Sequence, residues 1–586
     1  MYINRVLFIL FFLVLCSPIF SQFYIKGQVK DEKGNTLQNV TIVVHSTDQL
    51  FRSGGEGRFG INASKINDSL TFSFEGFATF TKQINANEYN NITLVAEKKQ
   101  IAKATGGLSS LVSNFNHSSQ DQYYSGNETY SSLFENNFIN TGKNPSTEIA
   151  LNYNRASYSN IRRFLNLGYS MPSDAIRIEE MLNYFNLEIK EPEQGKDFKI
   201  NSRVSSCPWN KENTLLFLNI CTKKIDLNSL PPSNLVFLID VSSSMDMPNR
   251  LPLLKSAFKV LVNNLREKDT VSLVVYGGIT GTLINGLSGK EKVKIINIID
   301  SLQPGGATPG ESGIKLAYRI ARNHFIKGGN NRVILATDGD FNIGVRSEDE
   351  LEKLIAQQNI FGISLTCLGV GMGNYKDSKI QALAQKGSGN FAYLDNYAEA
   401  EKVLFNEFFQ TLYTVAGNVI MSVQFNPEFV KQYRLIGYDN KTTAIRNKSS
   451  SLEGGEIGSG NSLVVAFEIV PQRTSSLVSG PVGDINLSYT AQNRESRTLK
   501  YLVPFQLSDF ETIENDFKLA TAIIMFGMKL KKSDFAKNIK WNSILDLAKN
   551  SISPLSFTEQ EFVRLIEAAR DIYKKENRWR LFKKRS

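Results

Sequence analysis

Residues 234–245 read NLVFLIDVSSSM: a run of mostly apolar residues ends on Asp240, and three serines follow within four positions. A short apolar run of this kind predicts a strand that is buried on both faces. The simplest interpretation of the polar residues is a turn after that strand. The alternative is that Asp240, Ser242 and Ser244 converge on a metal ion, and residues further along the chain decide between the two.

The surrounding segment, residues 231–415, alternates apolar runs with amphipathic helical patterns. The other apolar runs are TVSLVVYG, RVILATD, GISLTCLGVG and FAYLD. In LPLLKSAFKVLVNNL, the side chains of Leu254, Phe258 and Leu261 share one face of a helix. Strands that alternate with helices predict a doubly wound parallel sheet of the α/β class. Such sheets bind ligands at the carboxyl ends of their strands, so the loop after Asp240 lies where a ligand is expected.

Two later positions belong to the same predicted edge of the sheet. Thr308 lies in the glycine-flanked loop SLQPGGATPGES, just before a helix, and Asp338 ends the buried strand RVILATD. Hydroxyls and carboxylates without Cys or His suit Mg2+ or Mn2+ and not zinc. We therefore predict a metal site with a complete set of oxygen-bearing residues: Asp240, Ser242, Ser244, Thr308 and Asp338. Neutral hydroxyls leave the ion electrophilic, with an open position that an Asp or Glu of a protein partner can fill.

The three loops resemble the metal-ion-dependent adhesion site of the von Willebrand factor type A domain, which has a Rossmann-like fold. The resemblance implies that Ser242, Ser244 and Thr308 contact the ion. It implies a supporting role for Asp240 and Asp338.

A longer resemblance covers residues 146–575. The strings ASYSNIRRFLN, DAIRIEEMLNYF, NRVILATDGDFNIG and YRLIGYDN are similar to a bacterial family of exported von Willebrand factor A proteins. In that family a distinctive N-terminal extension and an uncharacterised C-terminal domain flank the A domain. The resemblance implies binding in the cell envelope. Asn152 and Asn154 depart from the family pattern, which usually has aspartates there.

A chain of 586 residues is long enough for about three or four domains. It begins MYINRVLFILFFLVLCSPIFSQ, with a basic Arg5 and an apolar run shorter than the roughly 20 residues of a spanning helix. This layout predicts a signal peptide over residues 1–22 and export, to the periplasm or to the cell surface or outer membrane.

The regions outside the central segment differ in composition. Short alternating strands in 23–97 predict a β-sandwich that resembles the carboxypeptidase regulatory-like domain. Residues 98–145 are rich in Ser, Asn, Gln and Gly, which predicts a flexible linker. The family-specific extension is expected over 146–230, and a C-terminal β-rich domain with terminal helices over 416–586.

Composition argues against several functions. The net charge is +10, but the body of the chain has no basic stripe with interleaved aromatics, so nucleic acid is not expected as a partner. The only histidines, His45, His117 and His324, are far apart, which leaves no material for a zinc or histidine-based catalytic site. The remaining residues single out no nucleophile–base pair, so we expect a protein that is not an enzyme.

Two further features have simple interpretations. We expect Cys207, Cys221 and Cys367 to be small buried residues and not disulfide partners. The tail KKENRWRLFKKRS favours a solvated helix end, and the alternative is peripheral contact with an anionic membrane surface.

Two hypotheses for function follow. In the first, an exported binding protein captures an acidic residue of a protein partner through the divalent metal. In the second, the protein is a structural or assembly component of the envelope, and the metal only stabilises the loops.

Overall fold

The computed structural model describes residues 23–583 with gaps at 39, 47–48, 64, 75–76, 97–127, 188–189, 227–229, 278–279, 307–309, 340–347, 373–374, 408–409, 411, 440–453, 473–479 and 493. The chain forms two compact units, Met1–Ser113 and Asn114–Ser586. The predicted signal peptide and residues 98–127 of the predicted linker lie outside the described residues.

The first unit is a two-sheet β-sandwich, as predicted. Its strands are β1 (Phe23–Asp31), β2 (Thr41–Val44), β3 (Gln49–Arg52), β4 (Arg58–Ala63), β5 (Asn67–Ser73), β6 (Phe80–Asn85) and β7 (Tyr89–Leu94). One sheet has the order β4-β1-β7 and the other β3-β2-β5-β6. Ile25 and Ile61 of the first sheet share a core with Ile42 and Phe72 of the second. The alternating residues therefore bury one face of each sheet against the other.

The central segment of the second unit is a doubly wound sheet of order β14-β13-β12-β15-β16-β17. Its strands are β12 (Ser233–Asp240), β13 (Thr270–Tyr276), β14 (Gly281–Ser288), β15 (Asn330–Thr337), β16 (Ile363–Val370) and β17 (Phe391–Leu394). All pair in parallel except β14, an antiparallel edge strand that the sequence patterns missed. The α/β fold is confirmed.

Helices cover both faces of this sheet, which explains the continuous apolar runs. The helices of this segment are α3 (Leu251–Asn263), α4 (Lys292–Asp300), α5 (Gly310–Asn323), α6 (Glu348–Ile360), α7 (Asp377–Lys386) and α8 (Tyr397–Glu401). On β12, Phe237 belongs to the core with Phe258 of α3, whereas Leu238 belongs to the core with Ile314 of α5. A strand between two helical layers has no polar face.

The segments on either side of the A domain form one structure and not two. The strands are β8 (Ile139–Asn140), β9 (Ser146–Ala150), β10 (Phe198–Ser206), β11 (Thr214–Thr222), β18 (Thr414–Phe425), β19 (Val430–Ile436), β20 (Gly455–Gly458), β21 (Ser462–Pro471), β22 (Pro481–Ala491), β23 (Ser496–Pro504) and β24 (Leu507–Ser508). One sheet has the order β24-β10-β11-β21-β19-β8, and in the other, β20-β18-β22-β23, β9 also pairs with β18. Both sheets combine strands from the predicted extension with strands from the predicted C-terminal domain.

A helical layer covers the outer face of the sheet β24-β10-β11-β21-β19-β8. It contains α1 (Ala156–Asn166), α2 (Ile178–Phe185), α9 (Asn515–Lys531), α10 (Trp541–Ser551) and α11 (Phe557–Lys583). On β11, Phe217 faces the helices and shares a core with Phe517. Leu218 shares a core with residues of the other sheet, which contains β18 and β22. The sheet that contains β11 is therefore the middle of three layers, between the helices and the sheet that contains β18.

The predicted linker ends earlier than expected. Glu128 forms an ion pair with Arg163 of α1, and Ile139 pairs with Tyr433 of β19. The buried Asn136 donates to the Gly437 carbonyl at 2.8 Å. Residues 128–145 are thus an ordered part of the second unit, because their polar groups bond to it.

Cys207, Cys221 and Cys367 are buried, and none of them forms a disulfide bond, as predicted. Asn154, which stands at a departure from the family pattern, has a structural role: its Oδ1 accepts from the Phe391 N–H at 3.1 Å.

Candidate metal centre

Asp240 ends β12 and is fully buried. Its Oδ1 accepts from the Ser242 N–H at 2.9 Å, and its Oδ2 accepts from the Thr337 hydroxyl at 3.0 Å. Thr337 is the last residue of β15, the neighbouring parallel strand. The carboxylate therefore joins the carboxyl ends of two adjacent strands, which is the ligand edge of such a sheet.

The three serines after the strand have different surroundings. Ser242 is 2% exposed and Ser244 half-buried, and their Oγ atoms are 3.0 Å apart. Ser243 is exposed, and its hydroxyl donates to the Gly306 carbonyl at 3.2 Å. The structure thus brings the two outer serines together and directs the middle one towards a neighbouring loop.

Asp338 follows β15 and is 1% exposed. It lies near Asp240, whose pKa shows the effect of its charge. Burial and the charge of Asp338 raise the pKa of Asp240 to about 6, although hydrogen bonds from Ser242 oppose the rise. Two carboxylates held this close in a poorly solvated place favour a cation between or beside them.

Arg250 supplies one such cation, and the sequence patterns did not predict it. Its Nη1 donates to Asp338 Oδ2 at 2.7 Å and to the Ser244 carbonyl at 2.5 Å, and its Nη2 donates to the Met372 carbonyl at 2.8 Å. The side chain is 9% exposed. The available signal was an arginine directly before α3, in a turn that follows the serines.

Thr308 lies outside the described residues, as do its two neighbours. The chain that leads to it is held against the first loop. The Gly305 N–H donates to the Val241 carbonyl at 2.7 Å, and the Ser243 N–H donates to the Gly306 carbonyl at 3.2 Å. Helix α5 begins at Gly310.

The residues at this edge fit a small divalent cation. The side chains beside the serines offer only oxygen donors, which Mg2+ and Mn2+ prefer. Within the described ranges, no group of three or more His, Cys, Asp or Glu side chains could hold a metal. Hydroxyl donors would therefore be essential here, and a bound ion would supply an electrophile for an oxygen ligand.

Four family models match the chain. They are a CarboxypepD_reg-like domain over residues 25–104, a von Willebrand factor model over 124–217, the von Willebrand factor type A domain over 234–406 and the C-terminal domain of the uncharacterized protein YfbK over 410–572. The fold and the matches define a von Willebrand factor type A domain protein. Domains of this type generally mediate protein–protein interactions.

The uncharacterized protein YfbK of Escherichia coli is 36% identical over 468 residues, which cover 76% of this chain and 81% of YfbK. The chain belongs to the YfbK family. Inter-alpha-trypsin inhibitor heavy chain H2 of Sus scrofa is 27% identical over 33% of this chain and 21% of its own length. A solved von Willebrand factor type A structure from Catenulispora acidiphila has 14% identity and a TM-score of 0.38, covering 63% of this chain and 88% of that one.

Proposed function

We propose that this is an exported, non-enzymatic binding protein that captures an acidic residue of a protein partner through a divalent-metal adhesion site. The ion is Mg2+ or Mn2+. It is held by the hydroxyls of Ser242, Ser244 and Thr308, with Asp240 and Asp338 in supporting positions.

One observation supports the site above the others. The two outer serine hydroxyls are 3.0 Å apart, on a loop in which the Ser242 N–H donates to the buried Asp240 carboxylate. A simple polar turn gives no reason to keep two hydroxyls and two carboxylates at one edge. A shared cation gives such a reason, because it compensates the carboxylates and uses the hydroxyl oxygens as ligands.

The choice of an acidic partner follows from the charge of the ligands. Neutral hydroxyls donate less charge to the ion than carboxylates do, so the ion keeps a strong affinity for one more anionic oxygen. An Asp or Glu side chain presented by another protein supplies that oxygen. The general role of type A domains in protein interactions agrees with this class of partner.

Export is proposed from the N-terminal sequence. In the described part of the chain, no helix combines the length and the apolar character needed to cross a membrane. Contact between the basic tail and an anionic membrane surface stays a secondary prediction. Helix α11 continues to Lys583, so the tail is helical through most of its length.

The first test is the binding of Mg2+ to the purified chain by titration calorimetry. Asp240→Asn should weaken binding by about 10- to 100-fold, the usual cost of losing a group that orients the ligands of a metal. Ser243→Ala is the matched control: it removes a hydroxyl from the same loop but leaves the pair of Ser242 and Ser244 intact. Equal Mg2+ affinity in all three proteins would refute the metal site.

The second test is capture from an envelope extract, run with Mg2+ and with a chelator. A partner that binds only with Mg2+, and not to Asp240→Asn, supports the proposal. A partner retained unchanged in the chelator favours the structural or assembly role. That alternative has support of its own, since buried ion pairs such as Arg332–Glu456 and Arg177–Asp377 fix the A domain to its neighbours.

A further inference from the structure

Arg250 connects the three described loops at the candidate metal edge. It lies between the serine loop and α3, and its guanidinium reaches Ser244 of the loop after β12, Asp338 after β15 and Met372 after β16. Its own N–H donates to the Met247 carbonyl at 3.0 Å, which fixes the turn that carries it. One side chain thus ties together segments that are far apart in sequence.

The space for this guanidinium is built into the fold. Gly371 has φ +81°, and a Cβ there would be 2.5 Å from Arg250 Nε. A larger residue at 371 would therefore be strained and would collide with the arginine. Lysine cannot replace this side chain fully, because one ammonium group cannot span acceptors on three loops as a planar guanidinium does.

Arg250 also decides the charge of the site. It forms an ion pair with Asp338, whereas Asp240 has amide and hydroxyl partners and no ion pair among the described residues. The two carboxylates and the guanidinium together carry one negative charge. A divalent ion added to this set leaves a net positive charge, which attracts a carboxylate. Without the guanidinium the same ion would be fully neutralised.

We propose that Arg250 is a positioning residue that holds Asp338 away from direct coordination and keeps the bound ion electrophilic. This inference rests on the proposed function. In this role Arg250 weakens the binding of the metal and strengthens the binding of the partner's carboxylate to the bound metal. It also makes Arg250 the group that holds the loops together before the metal binds.

Removing the charge of Arg250 should have opposite effects on the two binding steps. Arg250→Gln should bind Mg2+ more tightly, by roughly tenfold, because a positive charge near the ion is lost and Asp338 loses this ion pair. The same variant should hold a carboxylate less well. A residue that only supports the loops would weaken both interactions when replaced.

The experiment uses the full chain and three readouts. Calorimetry measures Mg2+ affinity, and thermal unfolding measures Tm with Mg2+ and with a chelator. With Mn2+ bound instead, water-proton relaxation measures how much water added acetate displaces from the ion. For Arg250→Gln we expect tighter Mg2+ binding, a lower Tm in chelator, a larger rise of Tm on adding Mg2+, and weaker acetate binding. Arg250→Lys keeps the charge, so its Mg2+ affinity should stay within about twofold of the wild type.

Arg266→Gln is the matched control, because Arg266 forms an ion pair with the buried Asp269 in the same domain, and its bonds among the described residues reach none of the metal-site loops. It should lower Tm without changing Mg2+ affinity. If Arg250→Gln binds Mg2+ no more tightly than the wild type does, Arg250 is only a structural residue. If Arg250→Gln does not fold, a loss of Mg2+ affinity in Arg250→Lys refutes the charge role. If the wild type does not bind Mg2+ at all, the metal site itself fails.

Discussion

Glu179 of α2 is a half-buried carboxylic acid, next to a second acidic residue, Glu180. Burial, and then the charges of Asp439 and Glu180, raise the pKa of Glu179 to about 7, and the bond from the Tyr438 N–H, at 2.9 Å, opposes them. Asp439 has a partner in Lys531, but Glu179 has no ion pair within the described ranges. The folded protein therefore binds a proton at Glu179 that the unfolded chain releases at lower pH.

The sign of this effect defines a pH prediction. Between about pH 4.5 and 7 the folded state holds more protons than the unfolded state, so Glu179 makes the protein less stable as pH rises. Glu179→Gln keeps an acceptor for Tyr438 and removes the charge. We expect this variant to exceed the wild type in free energy of unfolding by more at pH 8 than at pH 5. The two differences, measured by urea unfolding, should themselves differ by at most about 3 kcal/mol. An equal stability difference at both pH values would contradict the prediction.

The residues of the candidate metal site could be predicted from sequence only in part. Asp240, Ser242 and Ser244 are neighbours in the chain, and the βαβ pattern predicts Asp338 at the same edge. The same pattern predicts Thr308 there, but Thr308 lies outside the described residues. Arg250 could not be found in this way, because its acceptors come from three loops and two of them are backbone carbonyls, which carry no mark in the sequence.

At the scale of elements, a single arginine connects α1 to two other parts of the unit. Arg162 Nε donates to Asp395 Oδ2 at 2.8 Å, its Nη2 donates to Glu399 Oε2 at 2.8 Å, and its Nη1 donates to Glu561 Oε1 at 3.0 Å. Asp395 and Glu399 end the A domain, and Glu561 belongs to α11. Arg162 therefore forms ion pairs with three carboxylates that are mostly buried.

Arg162→Met should lower the free energy of unfolding by about 3–5 kcal/mol, because it leaves buried carboxylates without their counter-charge. Denaturant unfolding measures this change. The control is Arg203→Met, since Arg203 and its partner Glu514 are partly exposed. The control should cost less than about 1 kcal/mol. Similar losses in both variants would show that the Arg162 cluster has no special weight.

The first turns of α11 include Glu561, the acidic partner in this contact. The sequence TEQE suggests a capping box from Thr558 to Glu561, but α11 begins at Phe557, and the Glu559 N–H donates to the Ser556 hydroxyl at 3.3 Å. A Ser/Thr-x-x-Glu pattern occurs twice in overlapping positions, at Ser556–Glu559 and Thr558–Glu561, so local sequence does not choose between them. The ion pair with Arg162 uses Glu561 and leaves the earlier pattern to cap the helix.

At the scale of the whole molecule, the A domain is an insertion between strands that belong to one sandwich. Leu218 of β11 pairs with Val465 of β21, across the entire A domain in sequence. The chain enters and leaves the domain side by side, where the Ser233 and Tyr413 hydroxyls are 2.8 Å apart. Local patterns predicted the α/β sheet because its units are consecutive. They divided the sandwich into two segments because its pairs are distant.

The shared sheets lead to a prediction about truncation. Residues 416–586 contain most strands of the sandwich but lack β10 and β11, which contribute Ile200 and Leu216 to its core, and α1 and α2, which contribute to the helical layer. Expressed alone, 416–586 should show no cooperative thermal transition by circular dichroism, because one face of β21 and several apolar helix faces would be open to water. Residues 23–97 are the control and should unfold cooperatively, since that sandwich has a core of its own. A cooperative transition of 416–586 alone would show that the C-terminal segment is an independent domain, and that the strands preceding the A domain only add to a sheet already formed.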